Sequence, residues 1–246
     1  MNEDIEPINR MRAITISREY GSGGGEIASR LARRLGWDLI DHAIVERTAL
    51  EMGTSTQEAE AHDEYTEGIV SRVLNNMLYL SPASMVTAPP EALLSDEDYC
   101  SVVNRIVRAA AARGHVVIVG RASQVLLAEL RDVLHVRIIA PFEKRVAYVM
   151  QREGVDHHTA ESRIHMKDHD RARYLQVEHH QKMEDAHLYD IVLNTSLLDL
   201  ESAVEVIYFT LHQKAKGLST KTGELGPAAG LSQYPGQLQD FRPLVR

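Results

Sequence analysis

Ser17-Arg18-Glu19-Tyr20-Gly21-Ser22-Gly23-Gly24-Gly25-Glu26-Ile27-Ala28 links an apolar run, Ala13-Ile14-Thr15-Ile16, to a stretch with Ile27, Leu31 and Leu35 at helical spacing. Strand, glycine-rich loop and helix in that order turn backbone N–H groups toward an anion, and the helix dipole adds to the attraction. Such loops commonly read GxxxxGK[ST], where the lysine reaches the terminal phosphates. With the two glycines of that pattern set on positions 18 and 23, the residues found are Arg18 and Gly23, and the lysine position holds Gly24. The backbone of a phosphate binder is present, and its usual cation is not.

Working outward, the chain repeats this alternation. Apolar runs at 13–16, 38–40, 116–119, 133–139 and 191–193 read as strands. Most are continuous, as in parallel strands covered on both faces. Helical patterns separate them at 25–35, 98–113, 142–152 and 198–214, with Pro141 a favourable first-turn residue for the third. Ser95 and Asp98 resemble a capping box ahead of the second. The pattern predicts an α/β fold, a doubly wound five-stranded parallel sheet. Ligands of such sheets bind at the carboxyl ends of the strands, where Ser17, Asp41, Gly120-Arg121 and Asn194-Thr195 fall.

Two parts break the alternation. A segment at 48–96 separates the second and third strands. Its first half holds Glu51, Glu58, Glu60, Asp63, Glu64 and Glu67 without a Lys or Arg between Thr48 and Ser71. Its second half is loop-like in composition. From position 217 to 246 the chain is rich in Gly, Pro, Ser and Gln and reads as a mobile tail. Residues 1–12 form an N-terminal extension and 13–216 the main domain.

A net charge of −8 argues against general nucleic-acid binding. One cysteine, Cys100, excludes an internal disulfide framework and suits a reducing compartment. No apolar run reaches membrane-spanning length, and the acidic N-terminus lacks a signal-peptide core. A cytoplasmic protein without membrane contact is expected. Nothing in the sequence selects an oligomeric state.

Ile14-Thr15-Ile16 with its loop, and then Leu35-Gly36-Trp37-Asp38-Leu39-Ile40-Asp41, resemble without a gap the opening of bacterial cytidylate kinases. The variant Ser-Arg-Glu-Tyr-Gly-Ser-Gly-Gly is closer to a divergent branch, the cytidylate kinase-like family. Three later pieces recur in order: Val117-Ile118-Val119-Gly120-Arg121, Lys167-Asp168-His169-Asp170-Arg171-Ala172-Arg173-Tyr174, and Tyr189-Asp190-Ile191-Val192-Leu193-Asn194-Thr195-Ser196. The resemblance covers most of residues 13–214. It implies a P-loop nucleoside monophosphate kinase fold and transfer of the γ-phosphoryl of ATP, with Mg²⁺, to a nucleoside monophosphate, CMP or dCMP being the usual acceptor. It further implies a donor loop at Gly21, Ser22, Gly23, Gly24, Gly25 and Glu26, an acceptor contact at Arg121, a lid at 155–180 and an acceptor-binding lobe at 48–96. Against the family pattern, Gly24 replaces the phosphate-loop lysine and Glu26 the Mg²⁺-binding hydroxyl.

Each candidate has a functional and a plain reading. Arg18 can reach over the phosphates, since guanidinium forks suit phosphate oxygens, or it can pair with Glu19 or Asp41. Glu26 can ligate Mg²⁺, or it can be a first-turn acidic residue favoured by the helix dipole. Ser22 and Ser29 are hydroxyls without an assigned task. Asp41 can contact acceptor or metal-bound water, or cap a helix at 43–50. Arg121 contacts an acceptor phosphate or caps the following helix. Lys167 and Arg171, four residues apart among Arg163, Lys167, Arg171 and Arg173, can close over a phosphoryl group, or they can belong to a solvated face with local ion pairs. Asp168 and Asp170 orient these cations. His165 and His169 share a weak metal-binding spacing, with the doublets His157-His158 and His179-His180 nearby. Tyr65, Arg72, Asn75, Asn76 and Tyr79 are candidate contacts of the inserted lobe. The expected function is a nucleotide-binding kinase; the alternatives are a nucleotide-binding regulator that has lost phosphoryl transfer and a helical interaction protein.

Overall fold

The structure is a computed structural model and describes residues 5–42, 44, 45 and 96–226. The inserted segment up to position 95, its candidate contacts Tyr65, Arg72, Asn75, Asn76 and Tyr79, the cap at Ser95 and the tail from 227 lie outside the described residues. In chain order the elements are α1 (Ile5–Ile8), β1 (Ala13–Arg18), α2 (Gly24–Leu35), β2 (Asp38–Ile40), α3 (Asp96–Arg113), β3 (Val116–Val119), α4 (Ser123–Leu126), β4 (Val133–Ile139), α5 (Phe142–Glu153), α6 (His157–His179), β5 (Ile191–Asn194) and α7 (Leu200–Gly217). Short 3₁₀ turns occur at Ala186–Leu188 and Thr222–Glu224.

The strands pair in the order β2-β3-β1-β4-β5, all parallel. The three central strands, the polar Thr15, Ser17, His135 and Arg137 included, are buried on both faces except at the last residues of β1 and β4. Edge strand β5 instead alternates, with Val192 exposed and Leu193 buried. On one face Ile14, Ile16, Leu134, Val136 and Ile138 pack with Ile27 and Leu31 of α2 and Val204, Ile207 and Leu211 of α7. On the other, Ala13, Val116, Ile118 and Val133 pack with Val103, Ile106 and Val107 of α3. Each fully buried aliphatic side chain contributes about 1.5–3 kcal/mol of transfer free energy, so both layers are strongly anchored to the sheet.

The expected strands are all found, and β1 runs two residues further than its apolar pattern. Ser17 and Arg18 continue the ladder against Arg137 and Ile138 of β4. Arg18 is therefore the last residue of a strand, held by the sheet, where the sequence pattern had placed it in the loop.

Candidate functional site

The glycine-rich loop is stitched to the carboxyl ends of its neighbours. The Ser22 hydroxyl donates to the carbonyl oxygens of Glu19 at 2.9 Å and Ile138 at 3.3 Å. The Thr195 hydroxyl donates to the Ser22 carbonyl at 2.9 Å. Glu19 accepts from the Ala140 N–H at 3.0 Å and faces Arg145 at 3.6 Å. Gly21 takes φ 82°, and a Cβ there would lie 2.8 Å from the Arg145 carbonyl oxygen. Gly23, φ 81°, caps α2 with no side-chain hydrogen bond to its first turn. A helix start without a side-chain cap leaves backbone donors for an anion.

Glu26 sits in that first turn and points away from it. Its carboxylate takes Arg30 at 3.0 Å and Arg152 at 3.3 Å. The Arg30 hydrogen bond leads the causes that hold its carboxyl below the ordinary range. Asp41 accepts from the Ile44 N–H at 3.1 Å, the geometry of a helix cap.

Beside the loop, at the ends of β1 and β3, lies a cavity of about 500 Å³. Among the described residues, Arg18, Arg121, Lys167 and Arg171 line it, against one carboxylate, Asp170. Three parts of the fold deliver these four cations. Arg18 ends β1. Arg121 follows β3 in a turn where Gly120, Arg121 and Ala122 take φ 76°, 57° and 51°. Three successive left-handed residues, two of them not glycine, are costly, and they turn the chain sharply as it leaves the sheet. Lys167 and Arg171 come from one face of α6. Burial, then Arg171 and Arg121, pull the Arg18 pKa down to about 9. Burial also lowers that of Arg171. Such crowding of cations is offset when an anion enters.

Helix α6 is docked on the loop by Asp168. Its carboxylate accepts from the Tyr20 N–H at 2.8 Å, from Arg145 and from Arg171 at 3.4 Å. Glu153 adds a second tie, taking the Tyr20 hydroxyl at 2.6 Å and Arg163. Thus Arg163 serves the docking, Arg173 is exposed, and Lys167 and Arg171 face the cavity. Ser17, expected at the ligand-binding strand ends, does line the cavity; Arg145 and the lining residue Gln124 were not singled out from the sequence, and Tyr20 and Tyr174 entered there only within longer stretches. Arg145, with an 11% exposed side chain, carries no motif, and only its distance from the surface marks it. No carboxylate ion pair to the Arg18 side chain is found among the described residues; Glu19 is taken by Arg145.

Backbone N–H groups and arginines suit the phosphates of a nucleotide. For Mg²⁺ the donor set is different. No group of three His, Cys, Asp or Glu side chains gathers among the described residues, and the Glu26 carboxylate is held by Arg30 and Arg152.

A model of the cytidylate kinase-like family matches residues 13–197. A cytidylate kinase of Ignicoccus hospitalis is 25% identical over 198 residues, spanning 80% of this chain and 97% of its own. The crystal structure of an uncharacterized protein from Eubacterium ventriosum superposes with a TM-score of 0.60 at 22% identity, covering 81% of this chain and 97% of the other. That likeness is one of fold.

Proposed function

The chain belongs to the cytidylate kinase-like family, and from that premise we propose that it transfers the γ-phosphoryl group of ATP to a nucleoside monophosphate. One observation carries the proposal: Arg18, Arg121, Lys167 and Arg171 converge on one cavity beside a helix start that has no side-chain cap. Phosphoryl transfer asks a protein for positioning and charge neutralisation, and little else. The amides from Gly21 to Glu26 take the donor phosphates. Arg121 takes the acceptor phosphate, while Asp41 caps the helical turn after β2 and its negative charge acts on Arg18. Lys167 and Arg171 cover the phosphoryl group from α6. ATP with Mg²⁺ is the donor by family, the ion travelling on the nucleotide; CMP or dCMP is the acceptor by family. The segment 48–96 is the acceptor lobe by its place in the chain, and 155–180 is the lid.

The test is direct. Purified protein is incubated with Mg-ATP and each nucleoside monophosphate in turn, and ADP is followed. Turnover with a pyrimidine monophosphate, reduced on the order of a hundredfold in Arg121→Ala, is expected. Measurable ATP affinity with no ADP from any acceptor favours the regulator, a reading that the missing loop lysine supports.

A further inference from the structure

The sequence lacks a cation at position 24, and the structure holds an arginine directly above that position. A Cβ on Gly24 would lie 2.7 Å from Arg18 Cβ and 3.1 Å from its Cγ. The stem of Arg18 thus occupies the space in which a side chain at position 24 would begin. At its far end, Nη1 rests against Gly120, where an added Cβ would collide with it. One side chain runs from the first turn of α2 to the end of β3, with a glycine under each end.

We infer that the loop cation has moved from the helix to the strand: Arg18 performs the phosphate neutralisation that the pattern assigns to position 24, and Gly24 and Gly120 are glycine because they form its channel. The identity of the ligand rests on the kinase reading above; the relocation of the charge does not.

The move has a chemical consequence. A lysine rising from the helix serves the donor phosphates as a point charge. Arg18 ends in the cavity that Arg121 also lines, so its planar fork stands between the loop and the acceptor side. There it can hold an oxygen of the transferring group and one of the acceptor together. In the step it serves, an acceptor phosphate oxygen bonds to the γ-phosphorus. The bond from that phosphorus to the β–γ bridging oxygen breaks, and its electron pair leaves with ADP. The guanidinium balances charge and exchanges no proton. The sheet ladder to Ile138 fixes its backbone, and packing against two glycines fixes its stem. The order lost by giving up a helix-borne lysine is recovered from the strand.

The inference makes phosphate affinity follow the cation between positions 18 and 24, which a merely structural arginine does not. Inorganic tripolyphosphate is the probe, with affinity read by calorimetry and fold by circular dichroism. Arg18→Ala is expected to lower affinity at least tenfold and Arg18→Lys to retain part of it. Gly24→Lys alone is expected to lower both affinity and stability, because the new side chain meets Arg18. The double variant Arg18→Ala, Gly24→Lys removes the obstacle and restores a cation, so affinity is expected to return to within a few-fold of the original. Unchanged affinity in Arg18→Ala overturns the inference. So does a folded double variant that binds no better than Arg18→Ala. If the double variant does not fold, the ordering of the original, Arg18→Lys and Arg18→Ala decides alone. Affinity that follows the cation between the two positions, with no turnover on any monophosphate, removes the kinase reading and leaves this inference standing.

Discussion

At the scale of single residues, the site is held by groups with no freedom to change. Gly21 combines φ 82° with a backbone oxygen 2.8 Å from where a Cβ would sit. A left-handed alanine costs about 1–2 kcal/mol and forced overpacking about 1–3. Gly21→Ala is therefore expected to lose roughly 2–5 kcal/mol in urea unfolding; a loss below about 1 kcal/mol would show that the loop relaxes freely. His135, inside the sheet and away from the cavity, is a second constrained group. It is buried on β4 with Nδ1 2.8 Å from the Thr15 hydroxyl. Burial pulls its pKa from the ordinary 6.5 down to about 4, Asp190 acting upward and Lys214 downward. A folded-state pKa below the unfolded one means the unfolded chain takes the proton first. The stability from holding this imidazole neutral is complete above pH 6.5 and is lost as pH falls toward 4. The chain has 12 histidines, so the test is a difference. Between pH 6.5 and 4, His135→Asn is expected to lose less of its urea midpoint than the original protein; equal slopes would discard the assignment.

At the scale of elements, α6 meets the loop through one carboxylate. Asp168 joins the Tyr20 N–H, Arg145 and Arg171. Asp168→Asn keeps the shape and removes the charge that two arginines share. Asp168 and Arg171 are partly exposed, so the loss is about 1–2 kcal/mol, below the 3–5 of a fully buried pair. Hydrogen exchange locates it: the Tyr20 amide and the middle of α6 are expected to exchange faster, with β1 unchanged. Uniform acceleration across the sheet would instead mean global destabilisation. This junction also marks what was legible in the sequence. The strands were, because Val116-Val117-Ile118-Val119 has no polar position to expose and Gly36 ends α2 with φ 66°. The basic face of Lys167 and Arg171 was legible as a charge reversal in an acidic chain. Its docking was not, since Tyr20 and Asp168 lie 148 residues apart and neither belongs to a periodic pattern. The strand position of Arg18 was hidden as well, because polar Ser17 and Arg18 carry no apolar signal for the ladder they continue.

For the whole molecule, two charge scales oppose each other. The chain carries −8 overall, a field that repels a phosphate. The cavity presents Arg18, Arg121, Lys167 and Arg171 against Asp170. Added salt screens both, and the sign of the net effect reveals which dominates. At about 0.15 M salt the screening length is about 8 Å. Charges lining a cavity of about 500 Å³ lie within that distance of a bound anion and are screened least. The attractive local part is therefore what remains near physiological salt. Tripolyphosphate affinity is expected to fall several-fold between about 0.1 and 0.5 M potassium chloride. In Arg18→Ala the dependence is expected to be shallower, since one fewer cation is being screened. Calorimetric titrations at three salt concentrations read both slopes. An affinity that rises with salt would mean that the long-range repulsion governs binding, and the four cations would then not act as one site.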